Sequence, residues 1–338
     1  MTSLRILQIG GGSMGTRRIR ALSARPGVLM ALFDERGDRC QRAAGRFEIP
    51  TFASLEQALA WEPDALVIST PPDRHADYVE VALQLRLAHF VEAGIRVEPA
   101  HAIAFRQQDA PLSAPSCTFH FMPVFQRLRE ILPAAVGRLH SYQMYLSCNL
   151  PEWHPDERGR FYAYRPTTNA AREMVPFELY WLNALFGVPA SVSAAILRRG
   201  SLPTAASDTY LAQFNLENGA AGQLAVAMAS PARFRRGVAV GEAGIVAFDI
   251  LSGVIERLSP DGAVCERLET GSIQEVTEAA YDTESAAYHE SLVAGHRWPH
   301  SYDDAARITA VLGAMERSVA DGGWQTVDSA AQPVFDIV

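Results

Sequence analysis

The apolar run Leu4–Ile9 leads without a spacer into Gly10-Gly11-Gly12-Ser13-Met14-Gly15, and Thr16–Ala24 then has helical composition. A G-x-G-x-x-G motif carries little information alone, but between a strand and a helix it prescribes one structure. Gly10 permits the tight turn, Gly12 lets a pyrophosphate approach the backbone, and Gly15 lets the helix pack closely on the strand. The helix start at Ser13 and Met14 then presents unsatisfied N–H groups and a partial positive charge to phosphate. These constraints commit the first part of the chain to an α/β Rossmann fold with a doubly wound parallel sheet.

The next residues continue that pattern. A second strand, Val28–Phe33, ends in Asp34, about 20 residues beyond the motif, where an acid accepts hydrogen bonds from the adenosine ribose hydroxyls. The same acid repels a 2′-phosphate, so NAD is expected rather than NADP; Arg36 is the nearby residue that speaks for the phosphate. Asp64–Pro72 reads as a further buried strand ending in a turn, followed by a helix over Ala76–Leu87 and a strand over Ala88–Glu92. In such a sheet the ligand sits at the carboxyl ends of the strands. Thr70, Pro71, His75 and Glu92 therefore join Gly10, Gly12, Ser13, Met14, Gly15 and Asp34 as cofactor-binding candidates.

Composition closes off other classes. At 338 residues and 48% hydrophobic content the chain is expected to form two domains, and a net charge of −8 argues against a nucleic-acid partner. No apolar run approaches the ~20 residues that cross a bilayer, and the N-terminus lacks a signal-peptide core. Four cysteines lie far apart with no CxxC pair, as in reduced cytoplasmic thiols, and the histidines show no metal-ligand spacing. A soluble cytoplasmic protein without a metal is the expectation. All 30 basic residues are arginine, so no lysine can serve as acid, base or Schiff-base former.

The chain resembles the glucose–fructose oxidoreductase / inositol dehydrogenase / MocA (Gfo/Idh/MocA) family. IGGGSMG, STPPDRH and HFVE carry the likeness in the first half, and FHFMPVFQRLREIL, NLPEWHPDERGRFYAYR and the ordered later segments carry it through the second. The resemblance implies an NAD-binding Rossmann domain over about 1–118 and a substrate and oligomerisation domain over about 119–338. The latter would be α+β, with an open, mostly antiparallel sheet. The alternating runs Leu211–Leu216, Gln223–Met228 and Ile245–Ile250 suit half-buried strands. A helix near Asp303–Ser318 would pack back on the first domain. A homodimer or homotetramer and a sugar, nucleotide-sugar or similar polyhydroxylated substrate are implied as well.

Where the family continues Glu92 with Lys-Pro, this chain has Ala93-Gly94. Alignment on Gly187 puts Glu173 at the first acid position of the family's catalytic helix, Phe177 at its histidine and Tyr180 at its aspartate. The spacing places all three on one helical face, with Pro176 expected in the first turn. Hydride transfer needs a proton partner, and Tyr180 is the first candidate, Glu173 the second. Tyr162, Tyr164 and His154 belong to a loop expected to cover the substrate. Arg233, Arg235 and Arg236 suggest either a substrate-phosphate site or a solvated strand edge. Three functions remain open: an NAD-dependent oxidoreductase with a non-lysine relay, a non-redox sensor or inactive paralogue, and an enzyme using tightly bound NAD transiently for elimination or epimerisation.

Overall fold

The computed structural model describes residues 3–94, 104–105, 110–153, 161–165, 168, 170–200, 202 and 204–328. The chain divides into two compact units. The first comprises Met1–Phe121 with Glu278–Ala306, the second Met122–Thr277 with Arg307–Val338.

The first unit opens with β1 (Leu4–Ile9), α1 (Ser13–Ser23), β2 (Val28–Phe33), α2 (Gly37–Phe47), β3 (Thr51–Phe52) and α3 (Leu55–Leu59). It continues with β4 (Ala65–Ile68), a 3₁₀ turn at Pro72–Arg74, α4 (His75–Gln84), β5 (Ala88–Val91) and β6 (Ser113–Pro115). Six parallel strands lie in the order β3-β2-β1-β4-β5-β6, so the order in which strands are added to the sheet reverses beside β1. All four residues of β4 are buried, because helices on both faces of a parallel sheet leave no solvated side. The core gathers Leu7, Ile9, Phe33, Ile68, Val79 and Val91, with Tyr302 from far down the chain.

The second unit holds α5 (Pro123–Val136), β7 (Leu139–Asn149), α6 (Ala170–Phe186) and β8 (Pro189–Leu197). There follow β9 (Thr209–Leu216), β10 (Ala221–Ala227), β11 (Ala229–Gly241), β12 (Ile245–Asp249), β13 (Val254–Leu258) and β14 (Val264–Glu269). Helix α7 (Ile273–Ala294) runs into the first unit, α8 (Tyr302–Asp321) begins there and ends in the second, and β15 (Gln325–Thr326) closes the described chain. The nine-stranded sheet is antiparallel except where β10 lies parallel to β7. Along β9 buried and exposed residues alternate strictly, the signature of a sheet with one solvated face. The other face packs an aromatic cluster in which Trp181 stands edge-on to Phe248 and Tyr142 stacks on Phe186.

Two sequence expectations change here. Pro176 lies inside α6, because Ala170–Val175 extend the helix one and a half turns upstream of it. The arginine cluster does not sit on a strand edge, although Arg233 and Arg236 are solvent-exposed as expected; Arg235 departs from that expectation. Its strand, β11, lies between β7 and β12, and Arg235 is buried against Glu178 while Arg236 reaches Asp249 at 2.8 Å. Glu178 is fully buried and also accepts the Trp181 indole N–H at 2.9 Å. Desolvation raises its pKa, and the Arg235 charge and hydrogen bonds oppose that rise.

Removing one partner of a buried pair strands the other. Arg235→Met should therefore cost about 3–5 kcal/mol, read as a lower denaturation midpoint. The double variant Glu178→Leu/Arg235→Met should recover much of the loss, and equal losses in both would contradict this role.

Candidate cofactor and proton-transfer site

The glycine turn is built as its sequence demands. Gly10 has φ +92°, a conformation L side chains rarely adopt, and a Cβ there would lie 2.6 Å from the Ser69 carbonyl oxygen. A Cβ on Gly15 would land on the Gly10 carbonyl oxygen. Gly12 differs: its nearest neighbour would be the Arg39 guanidinium at 3.8 Å, so its missing side chain leaves open space over the backbone. Gly12 is also the N-cap of α1, and no side chain caps the helix. The Ser13 hydroxyl accepts from Arg17 at 2.8 Å, and Met14 sulfur lies 3.7 Å from the same guanidinium. The start of α1 thus keeps backbone donors for an anion.

Asp34 stands at the end of β2, 6% exposed. One oxygen accepts the Gly11 N–H at 2.6 Å and Arg39 at 3.3 Å, and the other accepts the Arg36 N–H at 2.8 Å. A carboxylate has about four acceptor sites, so ribose hydroxyls can still be received. Arg36 is engaged with Asp38 at 2.9 Å.

On the other side of β1, the turn after β4 brings Thr70, Pro71 and His75 together. The Thr70 hydroxyl is buried without a hydrogen-bond partner among the described residues. Pro71 precedes the 3₁₀ turn. The buried His75 ring places Nε2 at 2.9 Å from the Thr70 carbonyl oxygen, which makes Nε2 the donor and leaves Nδ1 with a buried, unpartnered lone pair. Desolvation lowers the His75 pKa to about 4, against the Thr70 hydrogen bond and the Asp73 charge, so the ring is neutral at pH 7. Glu92, just past β5, accepts from Arg18 Nε at 2.8 Å and Nη2 at 3.1 Å, and from the Ser69 hydroxyl at 3.2 Å. An uncapped helix start over open glycine backbone and an orphaned buried hydroxyl at a strand end are what a dinucleotide fills. The residues present fit that group.

Within the second unit, α6 presents Glu173, Phe177 and Tyr180 on one half-buried face, while Val175, Glu178, Leu179 and Leu182 form its buried face. The Tyr162 hydroxyl donates to Glu173 Oε1 at 2.8 Å. Desolvation pushes the Glu173 carboxyl up to about 7, opposed by that hydrogen bond. The 3₁₀ turn Tyr162–Tyr164 is fixed by the Thr168 hydroxyl on the Tyr162 carbonyl and the Thr204 hydroxyl on the Tyr164 carbonyl. Tyr164 is itself buried. The structure thus pairs Tyr162 with Glu173; Tyr180 shares the helical face, and His154 lies outside the described residues.

Arg18, Glu284 and Ser69 escaped the sequence reading. The available signal was an arginine on the buried face of an amphipathic helix beside Ile19 and Leu22, where an unpaired charge is not tolerated. No metal-binding cluster and no helix able to cross a membrane occur among the described residues.

Residues 4–105 match the family model described as an oxidoreductase family with an NAD-binding Rossmann fold, and residues 125–247 match the GFO/IDH/MocA C-terminal domain. The chain belongs to the Gfo/Idh/MocA family, and its first domain is that family's NAD-binding domain. No curated protein matches the sequence. Among solved structures, GenD2 from gentamicin A biosynthesis in complex with NAD is 20% identical over 97% of both chains, with a TM-score of 0.81. Levoglucosan dehydrogenase with NADH and levoglucosan is 16% identical over 96% of this chain and 100% of that one, with a TM-score of 0.81. The myo-inositol 2-dehydrogenase from Lactobacillus plantarum is 14% identical over 97% and 100%, with a TM-score of 0.78. At these identities the likeness is one of fold.

Two glycines separate folding from binding. Gly15→Ala should displace the Gly10 turn and lower thermal stability together with NAD binding. Gly12→Ala should melt like the wild type yet weaken NAD by about tenfold or more in a titration. Wild-type affinity in Gly12→Ala would contradict the cradle.

Proposed function

We propose that the protein is an NAD-dependent oxidoreductase acting on a sugar-like polyol, with Glu173 and Tyr162 handling the proton that a lysine handles elsewhere in the family. The observation that carries this reading is the Glu173 carboxyl, poised near 7 by burial and held by one phenol. A general base works best with its pKa close to the working pH. Gly10, Gly12, Ser13, Met14, Gly15, Asp34, Thr70, Pro71, His75 and Glu92 would hold NAD, which when bound accepts a hydride from a carbinol carbon. The hydroxyl proton then leaves to the Glu173 carboxylate, with Tyr162 steadying the charged form; in reduction Glu173 returns it. Tyr164 and His154 would line the substrate region, and Tyr180 would contact the substrate from the same helical face as Glu173.

A sugar-like substrate is favoured by the family and by structural neighbours whose names include levoglucosan and myo-inositol. A cytoplasmic homodimer or homotetramer, with the cofactor domain over 1–118 and the substrate domain over 119–338, completes the proposal. Support for assembly comes from the solvated sheet face, where Tyr145 and Leu211 lie in register with Ala225 between them and are 41% and 40% exposed.

The test is reduced-nicotinamide absorbance with inositols, anhydrosugars and nucleotide sugars. For the substrate found, kcat/KM for oxidation should fall as pH drops below about 7, because the base must be ionised. Glu173→Gln should cost about 10²- to 10⁴-fold in kcat. Tyr162→Phe removes the bond that lowers the Glu173 pKa, so its acid limb should move to higher pH. Unchanged turnover in Glu173→Gln would end the relay assignment.

A further inference from the structure

Glu92 is one member of a buried ionic cluster whose charges do not cancel. Arg18, 1% exposed, also donates to Glu284 at 2.7 Å, and its guanidinium lies 4.4 Å over the Phe90 ring. Burial alone would lower the Arg18 pKa, but the charges and hydrogen bonds of Glu92 and Glu284 raise it overall, so it stays cationic. Glu284 is fully buried and receives four donors: Arg18, the Ser116 hydroxyl at 3.0 Å, the Cys117 N–H at 2.6 Å and the Thr118 hydroxyl at 2.7 Å. Its acceptor sites are full. Glu92 receives three donors, which leaves one acceptor site on a side chain that keeps 13% exposure.

One cation and two carboxylates leave a formal charge of −1. Among the described residues the neighbouring groups do not offset it: Arg17 and Arg20 pair with Glu278 and Asp282, and Ala93-Gly94 next to Glu92 carry no charge. Within this cluster Glu92 is the member with an open acceptor site and residual exposure, so it is the route by which the excess reaches a ligand. Sheet order then says which end of a ligand that is. Asp34 ends β2 on one flank of β1, whereas Glu92 follows β5 on the other, its N–H held by the Ile68 carbonyl at 3.0 Å. A dinucleotide with its pyrophosphate at the β1 turn and its adenosine ribose at Asp34 lays its nicotinamide half toward β4 and β5.

We propose that the Arg18–Glu92–Glu284 cluster makes the site prefer the oxidised, cationic nicotinamide over the reduced, neutral one, with Glu92 the acting charge and Arg18 a positioning residue. This rests on the NAD reading above. A site so biased suits oxidation of the substrate, because it retains NAD⁺ and releases NADH.

The readout is binding, not turnover: dissociation constants for NAD⁺ and NADH measured calorimetrically on the intact protein at one pH and ionic strength. In Glu92→Gln the ratio of NADH to NAD⁺ constants should fall by about tenfold, the scale of one charge at protein dielectric. Ala93→Lys, which adds a cation while leaving every residue of the cluster unsubstituted, should move the ratio the same way. Glu92→Asp keeps the charge and should hold the ratio within about twofold even if both affinities drop. The proposal is overturned if Glu92→Gln and Ala93→Lys leave the ratio unchanged, or if both constants shift equally as from a merely structural role. Wild-type protein that binds neither nucleotide would overturn the NAD reading itself, a distinct result.

Discussion

The first unit depends on one buried guanidinium. Arg18 projects from the helix that the glycine turn launches, and it grips Glu92 at the end of β5 and Glu284 on α7, a helix more than 200 residues further along the chain. Burying three charges carries a desolvation cost that only close geometry and full hydrogen bonding offset. Here Ser69, Ser116, Cys117 and Thr118 supply those bonds, and the Ser285 hydroxyl and Tyr281 carbonyl accept from the remaining guanidinium nitrogen at 3.2 and 3.4 Å. The glycine turn, the tips of β4 and β5 and a late helix are thereby fixed as one body. Together with the packing of Tyr288 and Trp298 on Phe90 and of Tyr302 in the core, this cluster ties Glu278–Ala306 to the unit.

The second unit shows how two glutamates on one helix acquire different chemistry. Glu178 meets a guanidinium and an indole N–H, which commit it to holding α6 against β11. Glu173, five residues earlier, meets a single phenol among the described residues. With desolvation opposed by only one neutral donor, its carboxyl stays near 7, where proton exchange is easy. A titratable group is therefore in place on α6 in a chain that has no lysine. Phe177 and Tyr180, which share the helical face of Glu173, are half-buried as well.

What was legible in the sequence was local. Gly10, Gly12, Gly15 and Asp34 lie within 25 residues of one another, and each is required by backbone geometry or hydrogen bonding that its neighbours dictate. The strand at Val28–Phe33 falls where its apolar run ends. Pairings across long separations were not legible: Glu178 with Arg235 spans 57 residues and Arg18 with Glu284 spans 266, and no periodicity encodes either. Arg233 and Arg236 are solvated as their pattern suggests, but the burial of Arg235 against Glu178 depends on a helix the strand sequence does not reveal. Pro176 was placed too early because proline marks helix starts more often than interiors, yet the good helix formers before it carry α6 upstream. The sequence places Tyr162 in a loop over the substrate but cannot show its bond to Glu173, which depends on how the chain between them is arranged.

The central claim is that this glycine turn, with Asp34 beside it, binds NAD in a chain without a single lysine. Equilibrium titration of the purified protein with NAD and NADP, with mass spectrometry of any nucleotide it carries, tests this most directly. The account predicts saturable binding of one NAD per chain, weaker binding of NADP, and loss of that discrimination in Asp34→Ala. Absence of binding to either nucleotide by the folded protein would contradict it.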